Sequence, residues 1–144
     1  MSKIYLASPL FNDEQKTRIM NVVSFLRAKG HEVFVPMEHS VEGAWDISNR
    51  DWAKQVFLDD VKAINECQVV VCIYEGLYSD SGTAWELGYS MARGKRQIIL
   101  YTCKRDELQS LMCINENAEV LPYVDYEQID IEKNNTSKFP LNLS

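Results

Sequence analysis

The 144-residue chain carries only two histidines, His31 and His39, and four scattered cysteines, Cys67, Cys72, Cys103 and Cys113. No C-x-x-C pair occurs and neither histidine has a partner at metal-ligand spacing, which argues against a zinc framework. The thiols read as reduced rather than as a disulfide scaffold. His31 opens a predicted strand and reads as structural. Positive charge is also scarce: 15 Lys and Arg face 21 Asp and Glu, a formal net charge of −6. An acidic surface repels phosphate backbones, so charge-driven nucleic-acid binding is not expected. No run of about 18 apolar residues is present to span a bilayer. The opening residues Met1–Leu6 form no apolar signal region, so the expected location is cytoplasmic. There is no G-x-G-x-x-G after the first apolar run and no G-x-x-x-x-G-K-[ST], which removes the dinucleotide and P-loop signatures. The acidic pair that a phospho-acceptor domain carries after its first strand is missing too. Disorder is not indicated, because hydrophobic residues make up 46% and charged residues 25% of the chain. The length predicts one domain, residues 1–144, with 134–144 as a polar tail.

What is present alternates between two periodicities. Short apolar runs at 3–7, 32–35, 68–74 and 97–102, and a weaker one at 120–124, read as strands. The run Gln68–Tyr74 is continuously apolar and rich in valine, as in a strand buried on both faces. Helical spacing appears over 13–29, with Ile19, Val22, Val23 and Leu26 on one face and Gly30 as its stop. Further helices are predicted over 51–66, where Ser48 and Asp51 suggest a cap, over 82–93, which Gly94 ends, and over 107–113. Residues 37–49 lack periodicity and read as a long loop. Strands alternating with helices imply parallel pairing through right-handed crossovers. The predicted fold class is α/β: a three-layer sandwich around a sheet of about five parallel strands, flavodoxin-like or Rossmann-like. In such sheets ligands bind beyond the carboxyl ends of the strands. Candidate site residues are therefore expected from 5–11, 36–46, 74–83 and 102–106.

Three acids stand out near those ends. Glu86 lies in Asp80-Ser81-Gly82-Thr83-Ala84-Trp85-Glu86-Leu87-Gly88-Tyr89. Two readings are open for it. As N3 of a helix whose N-cap is Thr83, it completes a T-x-x-E capping box. As an ionised carboxylate in the first turn of a helix at the ligand edge, it is a competent nucleophile for a sugar carbon. Gly82 and Gly88 clear side chains on either side of it. Asp60 shares a helix face with Phe57, Val61 and Ile64, and a carboxylate on an apolar face costs energy unless it is paired or functional. Burial suits such a group to general-acid work. Asp80 reads either as a turn or cap residue or as part of the same site, six residues before Glu86. Met37, Trp45 and Trp52 are candidates for a base pocket, or else for loop and core packing.

Two segments resemble the nucleoside 2-deoxyribosyltransferase family. Ile4-Tyr5-Leu6-Ala7-Ser8-Pro9-Leu10-Phe11 looks like the family's opening strand, and 80–89 looks like its signature D-x-G-T-A-x-E-[LIV]-G-Y. The resemblance runs from residue 3 to about 113. It implies a double displacement in which a glutamate attacks the anomeric carbon of a 2′-deoxynucleoside, the base leaves, and a second base attacks the glutamyl-sugar ester. By resemblance Glu86 is the nucleophile and Tyr5 orients it. Asp60 handles the proton on the departing base, Phe11 closes on the base, and Asp80 holds the 5′-hydroxyl. No metal or organic cofactor is implied. Ser110 stands where transferases usually carry asparagine and phosphohydrolytic relatives serine, in a segment that a neighbouring subunit inserts into the site. The implied partners are thus a deoxynucleoside, a free nucleobase and at least a second copy of the chain. The rival expectations are an N-glycosidase acting on nucleosides or 5′-monophosphates, and a non-catalytic nucleotide-binding module in which Glu86 is only a cap.

Overall fold

The valine-rich run forms the centre of the sheet. In the computed structural model, which describes residues 1–36, 49–76, 80–104 and 110–133, β3 (Val69–Tyr74) is buried along its whole length. It is flanked by β1 (Lys3–Ala7) and β4 (Arg96–Tyr101), with β2 (Glu32–Phe34) and β5 (Ala118–Pro122) at the edges. The order is β2-β1-β3-β4-β5 and every pairing is parallel. This is the expected five-stranded α/β sheet.

Because side chains alternate along a strand, the sheet feeds two separate cores. On one face Ile4, Leu6, Val71, Ile73, Ile98 and Leu100 meet the buried stripe of α1 (Asp13–Ala28): Ile19, Val22, Val23 and Leu26. On the other, Tyr5, Val70, Cys72 and Ile99 meet Ile64 of α2 (Asn49–Glu66) and Leu87 of α3 (Ser81–Ala92). Each such side chain contributes roughly 1.5–3 kcal/mol when taken fully out of water. Register then sets who meets whom. Tyr5 pairs with Phe34 on one side and Val70 on the other, so all three point to the α2/α3 face. The Tyr5 and Phe34 rings stack at 5.6 Å and 13°.

Helix boundaries follow local chemistry. Asn12 caps α1 through an Oδ1 that accepts the Gln15 N–H at 2.8 Å, and Gly30 takes φ 90° at its end. Helix α2 starts at Asn49, two residues before the expected Asp51; Ser48 lies outside the described residues. The predicted Thr83/Glu86 capping box does not form. Asp80 is the N-cap of α3, and its Oδ2 accepts from the Thr83 N–H at 3.2 Å and the Thr83 hydroxyl at 3.4 Å. A carboxylate beside the helix's free N–H groups outcompetes a hydroxyl, which starts the helix three residues earlier. Gly82 makes room for this: a Cβ there meets Asp80 Oδ2 at 3.0 Å. Of the predicted helix over 107–113, residues 107–109 lie outside the described residues, and Leu111–Cys113 is a turn. The tail 134–144 also lies outside them. At the amino end of β4, buried Arg96 donates to Glu119 at 2.6 and 3.0 Å and to the carbonyls of Asp130 and Ile131 at 2.9 Å. That fastens the segment after β5 to the sheet.

Candidate active site

Helices α2 and α3 cover one sheet face and leave a cleft of about 610 Å³ between them. It opens near the carboxyl end of β3, where α3 begins, as the sheet rule requires. Trp52, Val56, Phe57 and Asp60 line it from α2, and Gly82, Trp85 and Glu86 from α3. Tyr5 rises from β1 beneath it. Its phenol is fully buried, and its O–H donates a hydrogen bond to Glu86 Oε2. Glu86 therefore spends its carboxylate on the site and not on the helix start. It sits six residues past the Asp80 cap, in the second turn, not the first as the sequence suggests.

The electrostatics follow from that placement. Burial pushes the Glu86 pKa up to about 7. The Tyr5 hydrogen bond opposes the rise, while the negative charges of Asp60 and Asp80 add to it. Tyr5 is pushed far above the ordinary phenol range, first by burial and then by the Glu86 charge, so it remains a proton donor at neutral pH. Asp60 is half-buried and its charge reaches both Glu86 and Tyr5. Such a set can hold one carboxylate in place as a nucleophile and offer a second carboxyl across the cleft for proton transfer.

The fold thus brings Asp60, Gly82 and Glu86 into the cleft lining, with Tyr5 bonded to Glu86 and Asp80 near enough for its charge to reach it. Phe11 is not among its lining. It is 76% exposed and borders a separate depression with Leu10 and Lys16. Its backbone N–H donates to Gln15 Oε1 at 2.5 Å, and Gln15 in turn donates to Glu75 at 3.1 Å. Arg18 also donates to Glu75, at 2.9 Å. This pins the Phe11 turn to the end of β3, a network that sequence reasoning missed. Ser110 is half-buried, accepts the Cys113 N–H at 3.2 Å, and does not line the cleft. Met37 and Trp45 lie outside the described residues, as does His39. Trp85 was also missed. Its signal is the i, i+4 pair with Tyr89, whose ring stacks on it at 5.2 Å and 10°. Phe57, expected on the inward face, is 52% exposed and forms the cleft wall, because α3 covers that part of α2 incompletely. Among the described residues, no three His, Cys, Asp or Glu side chains are arranged to hold a metal, and no helix is long and apolar enough to cross a membrane.

Comparison with known proteins decides the family. The family model for nucleoside 2-deoxyribosyltransferase matches residues 4–142. The chain belongs to the nucleoside 2-deoxyribosyltransferase family. A 2-deoxyribosyltransferase structure from Bacillus psychrosaccharolyticus is 32% identical, covers 91% of this chain and 94% of its own, and superposes with a TM-score of 0.80. A Thermofilum pendens relative named for 2′-deoxynucleoside 5′-phosphate N-hydrolase activity is 30% identical over 134 residues, 91% of each chain. A nucleoside deoxyribosyltransferase of Limosilactobacillus fermentum is 27% identical over 115 residues, 74% of this chain and 68% of its own. The family is one of enzymes, and these relatives differ in whether their names describe transfer or hydrolysis.

Proposed function

We propose that this protein transfers the 2-deoxyribosyl group of a 2′-deoxynucleoside between nucleobases through a covalent ester on Glu86. The observation that carries the reading is the Tyr5–Glu86 hydrogen bond on the cleft floor, with helix capping left to Asp80. Glu86 attacks C1′ while the Asp60 carboxyl relays a proton to the departing base. A second base then attacks C1′ from the vacated face, returning the Glu86 carboxylate. Two inversions retain the anomeric configuration. Both transition states carry oxocarbenium character, which an anionic site stabilises. Asp80 uses Oδ2 for its cap, and its second oxygen accepts the 5′-hydroxyl. The chemistry calls for no cofactor or metal. A test is mass spectrometry after incubation with 2-fluoro-2′-deoxynucleosides, where a sugar adduct on Glu86 is expected. An adduct elsewhere, or none with any of the common bases, sinks the covalent mechanism.

The second reading is hydrolysis of 2′-deoxynucleoside 5′-monophosphates. The name of the Thermofilum relative and Ser110 favour it. Asp80 weighs against it, because a carboxylate at the 5′ end repels a phosphate dianion by about 2–8 kcal/mol at contact distance. Much faster cleavage of a monophosphate than of its nucleoside reverses this weighting. The apolar pair Leu111 and Met112, 85% and 87% exposed beside Ser110, supports an assembly of at least two copies in which this segment reaches a neighbour's cleft. Expected in solution is a dimer or larger oligomer that Leu111→Asp disperses, as read by light scattering.

A further inference from the structure

The cleft is lined by two acids, Asp60 and Glu86, by three aromatic rings, Trp52, Phe57 and Trp85, and by small or aliphatic residues between them. Trp85 directly precedes Glu86, and its ring lies 5.5 Å from Phe57 with the planes at 61°. Tyr89 stacks on Trp85, yet Trp85 remains 47% and Phe57 52% exposed, and both face the cavity. A nucleobase brings a flat π face that stacks on such a surface. Phe57 stands three residues, about one helical turn, before Asp60. A base whose glycosidic nitrogen is at Asp60 therefore extends along Phe57 towards Trp85.

We infer that Trp85 and Phe57 form the base-stacking wall of the cleft and select a nucleobase over water as the second nucleophile. The inference rests on the transferase reading above. In the second displacement a ring nitrogen of the incoming base attacks C1′, and the bond from C1′ to the Glu86 oxygen breaks with its electron pair returning to the carboxylate. The N–H proton passes to Asp60. Water attacking by the same route loses its proton to Asp60 and releases 2-deoxyribose. Both nucleophiles meet the same ester and the same proton acceptor. The partition between them is therefore set by what holds the base and keeps water from the apolar part of the cleft.

The test gives the protein thymidine or 2′-deoxyinosine as donor and adenine as acceptor, and counts deoxyadenosine against free 2-deoxyribose. Trp85→Ala is expected to lower the transfer-to-hydrolysis ratio about tenfold or more, and Trp85→Phe to restore most of it. In a Glu86→Gln background, calorimetry is expected to show adenine binding weakened about tenfold by Trp85→Ala. An unchanged ratio together with unchanged adenine affinity overturns the wall while leaving transfer intact. A wild-type protein that consumes neither donor sinks the transferase reading, and the calorimetric arm still judges the wall. Hydrolysis by the wild type that ignores added adenine overturns both. Phe57→Leu is the second variant should Trp85→Ala fail to fold, with the same ratio as readout.

Discussion

Glu86 is held where its charge is costly, and that cost is readable. Its folded pKa of about 7 stands above the ordinary 4.5, so between these values the folded protein keeps a proton that the unfolded chain has lost. Stability therefore falls as pH rises from about 4.5 to about 7 and stays lower beyond. The full shift corresponds to roughly 3 kcal/mol, and the half-buried position leaves about 1–2 after screening. Glu86→Gln removes this charge while keeping an oxygen for Tyr5. It is expected to abolish turnover and to raise the melting temperature more at pH 8 than at pH 5, as thermal melts at both pH values will show. On the proposed mechanism activity has the opposite dependence, because there the ionised Glu86 is the nucleophile. The acidic limb of kcat/KM is expected near pH 7, with about a tenfold fall per unit below it. The Tyr5 hydrogen bond lowers the Glu86 pKa, so Tyr5→Phe moves that limb to higher pH. A limb that stays in place removes Tyr5 from its role as the group that tunes Glu86.

At the scale of the element, the start of α3 does two jobs. Asp80 caps the helix and its charge reaches Glu86. Asparagine caps as well as aspartate, whereas alanine costs about 0.5–2 kcal/mol. Asp80→Asn is thus expected to melt within a few degrees of the wild type while losing affinity for the nucleoside, seen as a raised KM. On the same argument it is expected to cleave a 5′-monophosphate better relative to the nucleoside, since the repelling charge is gone. Asp80→Ala is expected to lose stability as well. The local sequence offered two overlapping caps, D-x-x-T from Asp80 to Thr83 and T-x-x-E from Thr83 to Glu86. Helical spacing cannot choose between them. The choice falls to Asp80 because Glu86 has a better partner in Tyr5, 81 residues away.

The whole molecule keeps its candidate site at one edge of the sheet and part of its fastening at the other. Arg96 lies at the amino end of β4, away from the cleft, and its guanidinium gathers Glu119 and the carbonyls of Asp130 and Ile131. Removing this buried cation takes its hydrogen bonds from Glu119 and from both carbonyls, at about 3–5 kcal/mol. Arg96→Ala is expected to lower stability by that order in denaturant titrations, with kcat unchanged where the variant remains folded. A drop in kcat at full folding contradicts the separation of the two edges.

Strand and helix identity was legible in the chain because it rests on local periodicity. The uninterrupted run at 69–74 requires a strand covered on both faces, and the glycines at 30 and 94 end helices wherever they are placed. The residue types able to do sugar chemistry, Glu86 and Asp60, were visible in the same way. Tertiary structure alone decided which carboxylate caps and which meets Tyr5. It also decided how far burial raises the Glu86 pKa, and that Phe57, Trp52 and Trp85 share one cleft while Phe11 stands apart. Those outcomes depend on the packing of α2 and α3 over β1 and β3, a set of contacts between residues far apart in sequence, and no local pattern encodes a distance between elements.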